Sequence, residues 1–137
     1  MTGMEDDLAL VKRAFEEFEV GHSDIAEYYE RFWHPEAEIE SVDGFPVPGS
    51  YRGFEGYQRW FADSYGPYED IERQLDSISV EGGRVVVLLT ITGRPKGEDL
   101  ELEIKIGSTY ELEDGRIKRL CVYLGHERAI LAARTRA

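Results

Sequence analysis

Three carboxylates stand close together in residues 37–44, which read AEIESVDG. A sheltered carboxylate can act as a general acid or base, so Glu38, Glu40 and Asp43 are the first candidates for chemistry. Side chains alternate between the two faces of a strand. If Ile39 faces an apolar core, Glu38 and Glu40 face water, and we expect these two glutamates to form a solvated face.

Asp43 has two interpretations. It lies two residues beyond Ser41, on the same strand parity, where the loop DGFPVPG begins. At a pocket mouth, a carboxylate with a raised pKa would suit a general base. Alternatively, Asp43 is a turn residue before Gly44, which turn statistics favour. Both interpretations stay open at the level of sequence.

The histidines offer one further candidate. His126 follows the last predicted strand on its inward parity, so its imidazole either titrates at the edge of a pocket or begins the final helix. His34 precedes Pro35 at a helix end, where a capping or surface role is the simpler account. The chain contains neither HxH nor HxxxH spacing. We therefore predict no metal site and no cofactor.

The composition limits the class of protein and its partners. A chain of 137 residues with 42% hydrophobic content suits one domain over residues 1–137. Its 28 acidic and 16 basic side chains give a net charge of −12, which repels phosphate backbones and argues against a nucleic-acid partner. The single Cys121 favours a reducing, cytoplasmic setting. The sequence shows neither a signal-peptide pattern nor an apolar run of membrane-spanning length, so no membrane partner is expected.

Helices are predicted at the front of the chain. Apolar residues recur at helical spacing over residues 8–18 and again over residues 25–33, before Pro35 makes continuation of the second helix costly. A third helix is predicted over residues 54–65, ending at a Gly-Pro pair.

The remainder of the chain alternates apolar and polar residues, which is typical of strands. In LELEIKI, residues 100–106, the leucines and isoleucines face one way and the charged residues the other. A short final helix is predicted over residues 127–136. The fold class is therefore α+β: three N-terminal helices packed on a strongly curved, mainly antiparallel sheet that forms a cone with an internal pocket. The strands predicted after the third helix, as an antiparallel meander, cover residues 70–80, 84–92, 100–112 and 116–125.

Three segments carry a resemblance to a known family. FWHPEAEIES, YRGFEGYQRWF and TYELEDGRIKRLCVYLG look like the SnoaL-like polyketide cyclase branch of the nuclear transport factor two-like superfamily. The resemblance covers residues 8–131. It implies the cone fold with a deep pocket, a site that relatives use as isomerases, cyclases, dehydratases and epoxide hydrolases, and also without catalysis. The fold alone does not choose among these roles.

The resemblance also implies which positions to compare. Ser41 stands where the steroid isomerases carry their general-base aspartate, and Ser108 where they carry a protonated aspartate. Ala14 and Phe61 stand near two of their tyrosines, whereas Trp33 keeps an aromatic ring. A serine cannot remove a carbon-bound proton near neutral pH by itself. The last strand also lacks the aspartate expected of the polyketide cyclases, and no Asp, Arg, Asp trio of the hydrolase type can be assembled from inward positions.

What remains is a pocket with a mostly aromatic and aliphatic lining, which is typical of small-molecule sites. Tyr110 is a candidate hydrogen-bond donor beside Ser108. Trp60 and Phe61 are adjacent on a helix, so both cannot point straight into one cavity. The candidate ligand-binding residues are Trp33, Ser41, Tyr51, Trp60, Phe61, Ser108, Tyr110, Leu120, Val122 and Leu124.

Three functional hypotheses follow. The first is binding of a small apolar or aromatic molecule. The second is an enzyme that acts on a cyclic apolar metabolite, with Asp43 or His126 as acid/base and Tyr110 or Ser108 as donor to an oxyanion. The third is a pure interaction module.

A homodimer is expected as well. Val86, Leu88 and Tyr123 fall on the outer face of the predicted sheet, and a single cone would leave these apolar side chains half exposed.

Overall fold

The computed structural model describes residues 2–19, 25–42 and 49–135. Within these ranges the helices are α1 (Thr2–Glu19), α2 (Ile25–Phe32), α3 (Gly53–Tyr65) and α4 (His126–Thr135). The three predicted N-terminal helices and the final helix are confirmed. Trp33 was predicted at the end of the second helix but begins a strand instead. A residue before proline favours extended backbone, so His34 already excludes a helix there.

Strands of a mixed sheet make up most of the rest of the described chain. Its order is β2-β1-β6-β5-β4-β3, and β3 to β6 form the predicted antiparallel meander. The strand β1 runs parallel to β6 and pairs with the short β2, which the sequence analysis did not predict. The α+β class is therefore confirmed. The bounds are β1 (Trp33–Ser41), β2 (Gly49–Arg52), β3 (Tyr68–Glu81), β4 (Arg84–Pro95), β5 (Leu102–Glu113) and β6 (Arg116–Leu124).

The main core lies between the first three helices and one face of the sheet, called here the inner face. Aromatic rings fill much of it: Trp33 stacks on Tyr29 with 5.9 Å between ring centroids, and Tyr57 lies 5.1 Å from Trp33. The hydroxyl of Tyr28 donates to the carbonyl of Ala14 at 2.8 Å, which ties α2 to α1. Large aromatic rings therefore supply most of the buried surface on this side of the protein.

The opposite, outer face is covered by α4. Val86, Cys121 and Tyr123 are buried there against Ala129 and Ala133. Val86 and Tyr123, together with the half-buried Leu88, were predicted to remain half exposed and available for a second copy of the chain. Helix α4 occupies that surface, so this argument for a homodimer no longer holds.

Irregularities in the strands decide which residues face inward. The register of β3 against β4 shifts between Glu69 and Glu72 and again between Leu75 and Ser77. A bulge moves the following side chains to the other face. In β3, Leu75 and Ile78 therefore both pack on the inner-face core, although an unbroken alternation would place them on opposite faces.

The start of LELEIKI differs from its prediction. Leu100 was expected to face the core but precedes β5 and is 62% exposed, because β5 begins only at Leu102. No helix among the described residues is long and apolar enough to cross a membrane.

Candidate ligand-binding pocket

A cavity of about 80 Å³ lies between the inner face of the sheet and α3. Helix α3 supplies one side of it, because Trp60 and Ser64 lie four residues apart and so share one helix face. Strands β3, β4, β5 and β6 supply the rest. The lining residues are Trp60, Ser64, Tyr65, Tyr68, Ile71, Arg73, Leu89, Ile91, Thr92, Gly93, Leu102, Ile104, Ile106, Ser108, Tyr110, Leu120 and Val122.

Burial increases from one end of this cavity to the other. Tyr68, Ile71 and Leu102 are half-buried, whereas Leu120 and Val122 are buried. The cavity therefore opens near the start of β3 and is closed off by β6. Its open end lies between α3 and the first residues of β3 and β5.

A second cavity of about 40 Å³ adjoins the first on the side of α1 and α2. The two have Trp60, Tyr65, Arg73, Tyr110 and Leu120 in common.

Arg73 is the one charged residue among the described residues that line the two cavities. Its guanidinium carbon lies 4.5 Å from the ring centre of Phe15 and 4.3 Å from that of Phe18, so cation–π contacts hold it against α1. Arg73 is not among the residues predicted from the sequence. The available signal was the alternation Ile71, Arg73, Leu75, which puts a cation in an apolar series.

Tyr110 supplies a hydroxyl on the same side of the sheet as Ser108. Its hydroxyl is withdrawn from water, and this burial raises its pKa to about 12, although the charge of Arg73 pulls in the opposite direction. At neutral pH the phenol is therefore protonated. It can donate a hydrogen bond and cannot serve as a base.

Two more polar groups of the lining have no hydrogen-bond partner in the described part of the chain. They are the indole nitrogen Nε1 of Trp60 and the hydroxyl Oγ of Ser64, and both atoms are buried. Ser64 is 5% exposed. A buried donor without a partner costs about 1–3 kcal/mol of folding stability. This pair of donors on one face of α3 therefore lowers the stability of the folded protein.

The other sequence-predicted ligand residues are distributed as follows. Of these, Trp33 lines only the smaller cavity. Phe61 packs on Phe18 and Tyr65 at 5.4 and 5.2 Å and lines neither of these two cavities. It lines instead a neighbouring, more open cleft of about 560 Å³, to which Arg73, Glu72 and Glu103 also contribute. The hydroxyl of Tyr51 lies 3.3 Å from Oδ2 of Asp63, away from both interior cavities.

Ser41 and Leu124 also lie outside the two linings. Ser41 is buried at the end of β1, and its hydroxyl has no partner among the described residues. Leu124 was expected to line the pocket on strand parity; it is instead 46% exposed, because β6 ends there and the chain turns at Gly125. Asp43 lies outside the described residues.

His126 begins α4 on the outer side of the sheet. Its Nε2 lies 3.0 Å from the carbonyl oxygen of Leu89 and 3.5 Å from Oδ2 of Asp76. Asp76 accepts hydrogen bonds from Thr90 at 2.5 Å and from Gln74 at 2.7 Å, and the first of these lowers its pKa most. His126 is thus fixed in a polar cluster that does not line the interior cavities.

Glu38 and Glu40 face away from the core, as the alternation predicts. Arg52 donates to Glu38 at 2.9 Å, and Arg119 donates to Glu40 at 2.7 Å. These carboxylates form ion pairs on a partly exposed sheet face, and such pairs contribute little to stability.

One group of potential metal ligands occurs at the hairpin between β5 and β6. His34, Glu113 and Asp114 each bring one ligand atom within 4.8 Å of the others. However, Nδ1 of His34 accepts the backbone N–H of Glu36 at 3.0 Å, which places the ring proton on Nε2. That proton faces Glu113 at 3.4 Å, an arrangement of a hydrogen bond and not of a metal ligand.

Comparison with known proteins gives the family. The model of the SnoaL-like domain matches residues 5–120 of the chain. The chain belongs to the SnoaL-like domain family. Every strand of the meander except the last few residues of β6 falls within the matched part. A comparison of this SnoaL-like domain with curated proteins gave no significant match.

Solved structures share the fold of this SnoaL-like domain. A candidate SnoaL-like polyketide cyclase from Jannaschia sp. CCS1 is 17% identical with a TM-score of 0.71, covering 97% of this chain and 94% of the relative. TerC, crystallised with polyporic acid, is 17% identical with a TM-score of 0.72, covering 87% and 91%. SalBIII, an epoxide hydrolase/cyclase-like enzyme in pyran ring formation, is 18% identical with a TM-score of 0.70, covering 91% and 95%. At this identity the likeness concerns the fold alone.

Proposed function

We propose that this SnoaL-like domain binds a small, largely apolar molecule in the interior cavity. The observation that carries the proposal is an apolar cavity into which a few hydrogen-bonding side chains converge, the usual character of a small-molecule site. TerC, which has the same fold, was crystallised with a small molecule, polyporic acid. That likeness supports the capacity of this fold to hold a small molecule. It does not identify the ligand of this chain.

The enzyme hypothesis receives less support from the described residues. Among them, the linings of the two interior cavities contain neither a carboxylate nor an imidazole, Glu72 and Glu103 line only the neighbouring open cleft, and Tyr110 is protonated at neutral pH. Acid–base chemistry would need a group with a pKa near the working pH that reaches the substrate. Of the two acid/base candidates, His126 is held on the outer side of the sheet, and Asp43 lies outside the described residues. Binding is therefore the better-supported function.

Thermal unfolding in the presence of cyclic molecules tests the proposal. A ligand that binds only the folded state at 100 times its Kd adds about 2.7 kcal/mol, which raises Tm by several degrees. The panel should run from single rings to the fused rings of steroids and polyketides. We expect a shift with at least one small cyclic compound and none in Ser108→Leu, whose larger side chain fills the cavity.

Ser77→Leu is the matched control, because Ser77 is exposed on β3 and does not line the cavity. It should keep the shift of the wild-type protein. If no compound raises Tm, or if Ser108→Leu shows the same shift as the wild type, the cavity is not a binding site.

A further inference from the structure

We infer that the ligand of the interior cavity is neutral and presents a carbonyl oxygen to the indole N–H of Trp60 and the hydroxyl of Ser64. The inference rests on the proposed function, since it names the class of molecule that the same cavity would take. Three features support it: two buried donors that lack an acceptor, the absence of a free charge among the described lining residues, and the size of the enclosed space.

The two donors belong to one wall of the cavity. Nε1 of Trp60 can only donate, and the hydroxyl of Ser64 can donate as well. Both atoms are buried, both residues line the cavity, and neither atom has a hydrogen-bond partner among the described residues. A helical serine can bond back to the carbonyl four residues earlier, here that of Trp60, and Ser64 does not. Because the two side chains are neighbours on one face of α3, a single oxygen with two lone pairs can accept from both.

The lining favours a neutral molecule. Within the described residues, neither a carboxylate nor an imidazole lines the two interior cavities, so a cation would find no partner there. Arg73 is engaged within the protein, where its guanidinium lies against the rings of Phe15 and Phe18. An anion would therefore lose its hydration and meet neutral donors, which do not offset the cost of burying a charge. A carbonyl group loses far less hydration and accepts the same hydrogen bonds.

The enclosed volume admits the carbonyl end of a ligand. It measures about 80 Å³, whereas a cavity of about 150 Å³ accepts benzene in an engineered protein. The cavity is open where Tyr68, Ile71 and Leu102 are half-buried, so an apolar remainder of the ligand can lie against these side chains. The ligand is thus a ketone or ester with its carbonyl near one end of an apolar body.

The indole N–H signals of the intact protein test the proposed hydrogen bond. The chain has two tryptophans, and comparison with Trp60→Phe assigns the signal of Trp60. Butanone is compared with 2-methylbut-1-ene, in which a CH₂ group replaces the carbonyl oxygen. We expect butanone to move the Trp60 indole proton downfield, as a newly formed hydrogen bond does, and the alkene to move it clearly less. Trp33 lines only the smaller cavity, so its indole signal is the internal control.

Matched affinities test the class of ligand. Acetophenone and its alkene isostere α-methylstyrene form a second pair, with benzoate as the anionic comparison, and the shifts of cavity methyl signals give the dissociation constants. We expect each ketone to bind at least about fivefold more tightly than its isostere, a ratio typical of one neutral hydrogen bond. Benzoate should bind more weakly than acetophenone.

Ser64→Ala separates a binding role from a structural one. Without ligand, this variant loses a buried hydroxyl that has no partner, so its Tm should equal or exceed that of the wild type. Its preference for the ketone over the isostere should fall severalfold, because one of two donors is gone. Ser77→Ala, at an exposed position of β3, is the control and should keep the preference. A purely structural hydroxyl would instead lower Tm on removal and leave the preference unchanged.

The outcomes separate this inference from the proposed function. Ketones that bind no better than their isosteres and leave the Trp60 signal in place would overturn the carbonyl ligand and leave the cavity as a binding site. Benzoate that binds more tightly than acetophenone would overturn its neutrality. An unchanged ketone preference in both Ser64→Ala and Trp60→Phe would overturn the assignment to these donors. Absence of binding by every probe, together with no thermal shift across the wider panel, would overturn the inference and the proposed function together.

Discussion

The buried hydroxyl of Tyr110 ties the candidate site to the response of the protein to alkaline pH. Its pKa in the folded protein is about 12, whereas that of an unfolded tyrosine is about 10. Because the folded pKa is raised, this contribution to stability is fully present below pH 10. It is lost between pH 10 and 12, where the unfolded chain releases its proton and the folded chain does not.

Removing the hydroxyl of Tyr110 should reduce the loss of stability at alkaline pH. We expect Tyr110→Phe to lose about 1 kcal/mol less free energy of unfolding than the wild type between pH 9 and pH 11. Urea unfolding at the two pH values measures both proteins, with pH 7 as the reference for each. An equal loss in variant and wild type would contradict the buried position of the Tyr110 hydroxyl.

Single residues were predictable where alternation continued without interruption. Ser108, Tyr110, Leu120 and Val122 follow regular stretches of β5 and β6, and the structure places all four on the inner face. Arg73 was not predicted, although it alternates regularly with Ile71 and Leu75, because a strand arginine is normally solvent-exposed. The unpartnered donors depend on packing between α3 and the sheet, which no local pattern encodes.

At the scale of elements, the attachment of α4 depends on Gly107. A Cβ atom at this position would lie 2.5 Å from Cβ of Ala129 and 3.0 Å from the carbonyl oxygen of Gly125. We expect Gly107→Ala to lower the free energy of unfolding by about 1–3 kcal/mol, because α4 has to shift away from β5. Denaturant unfolding measures this change.

The reactivity of the single cysteine measures the displacement of α4 locally. Cys121 is buried beneath α4, so a thiol reagent should label it slowly in the wild type and clearly faster in Gly107→Ala. Gly93→Ala is the matched control, since a Cβ there meets its nearest neighbour at 3.4 Å, an ordinary contact. Equal labelling rates in Gly107→Ala and Gly93→Ala would mean that α4 does not depend on this close approach.

Elements with a strong period were predictable, and short or irregular ones were not. The helical spacing in residues 8–18 and the alternation in residues 100–106 arise from one-sided burial, so the sequence shows them directly. Strand β2 has four residues, too few to establish a period. The pairing of β2 with β1 and the parallel pairing of β1 with β6 depend on contacts between separate segments, which a local sequence pattern does not show.

At the scale of the whole molecule, the homodimer stays a prediction. Its interface would have to be a surface other than the sheet face that α4 covers. The outer face is covered by α4, but Leu100 and Leu131 remain 62% and 63% exposed. Two copies with a charge of −12 each repel one another, and salt screens this repulsion. We expect sedimentation velocity at micromolar concentration to show a dimer whose fraction rises with added salt. A monomer at all salt concentrations would contradict the prediction.

The central claim is that the interior cavity holds a ligand, and methyl NMR tests it most directly. In protein with labelled Ile, Leu and Val methyl groups, titration with the panel of cyclic compounds should shift the inner-face signals of Leu89, Ile106, Leu120 and Val122. The signals of Val86 and Leu88 on the outer face should stay in place. If no compound moves the inner-face methyl groups, or if only the outer-face groups move, the account of the cavity as a binding site is wrong.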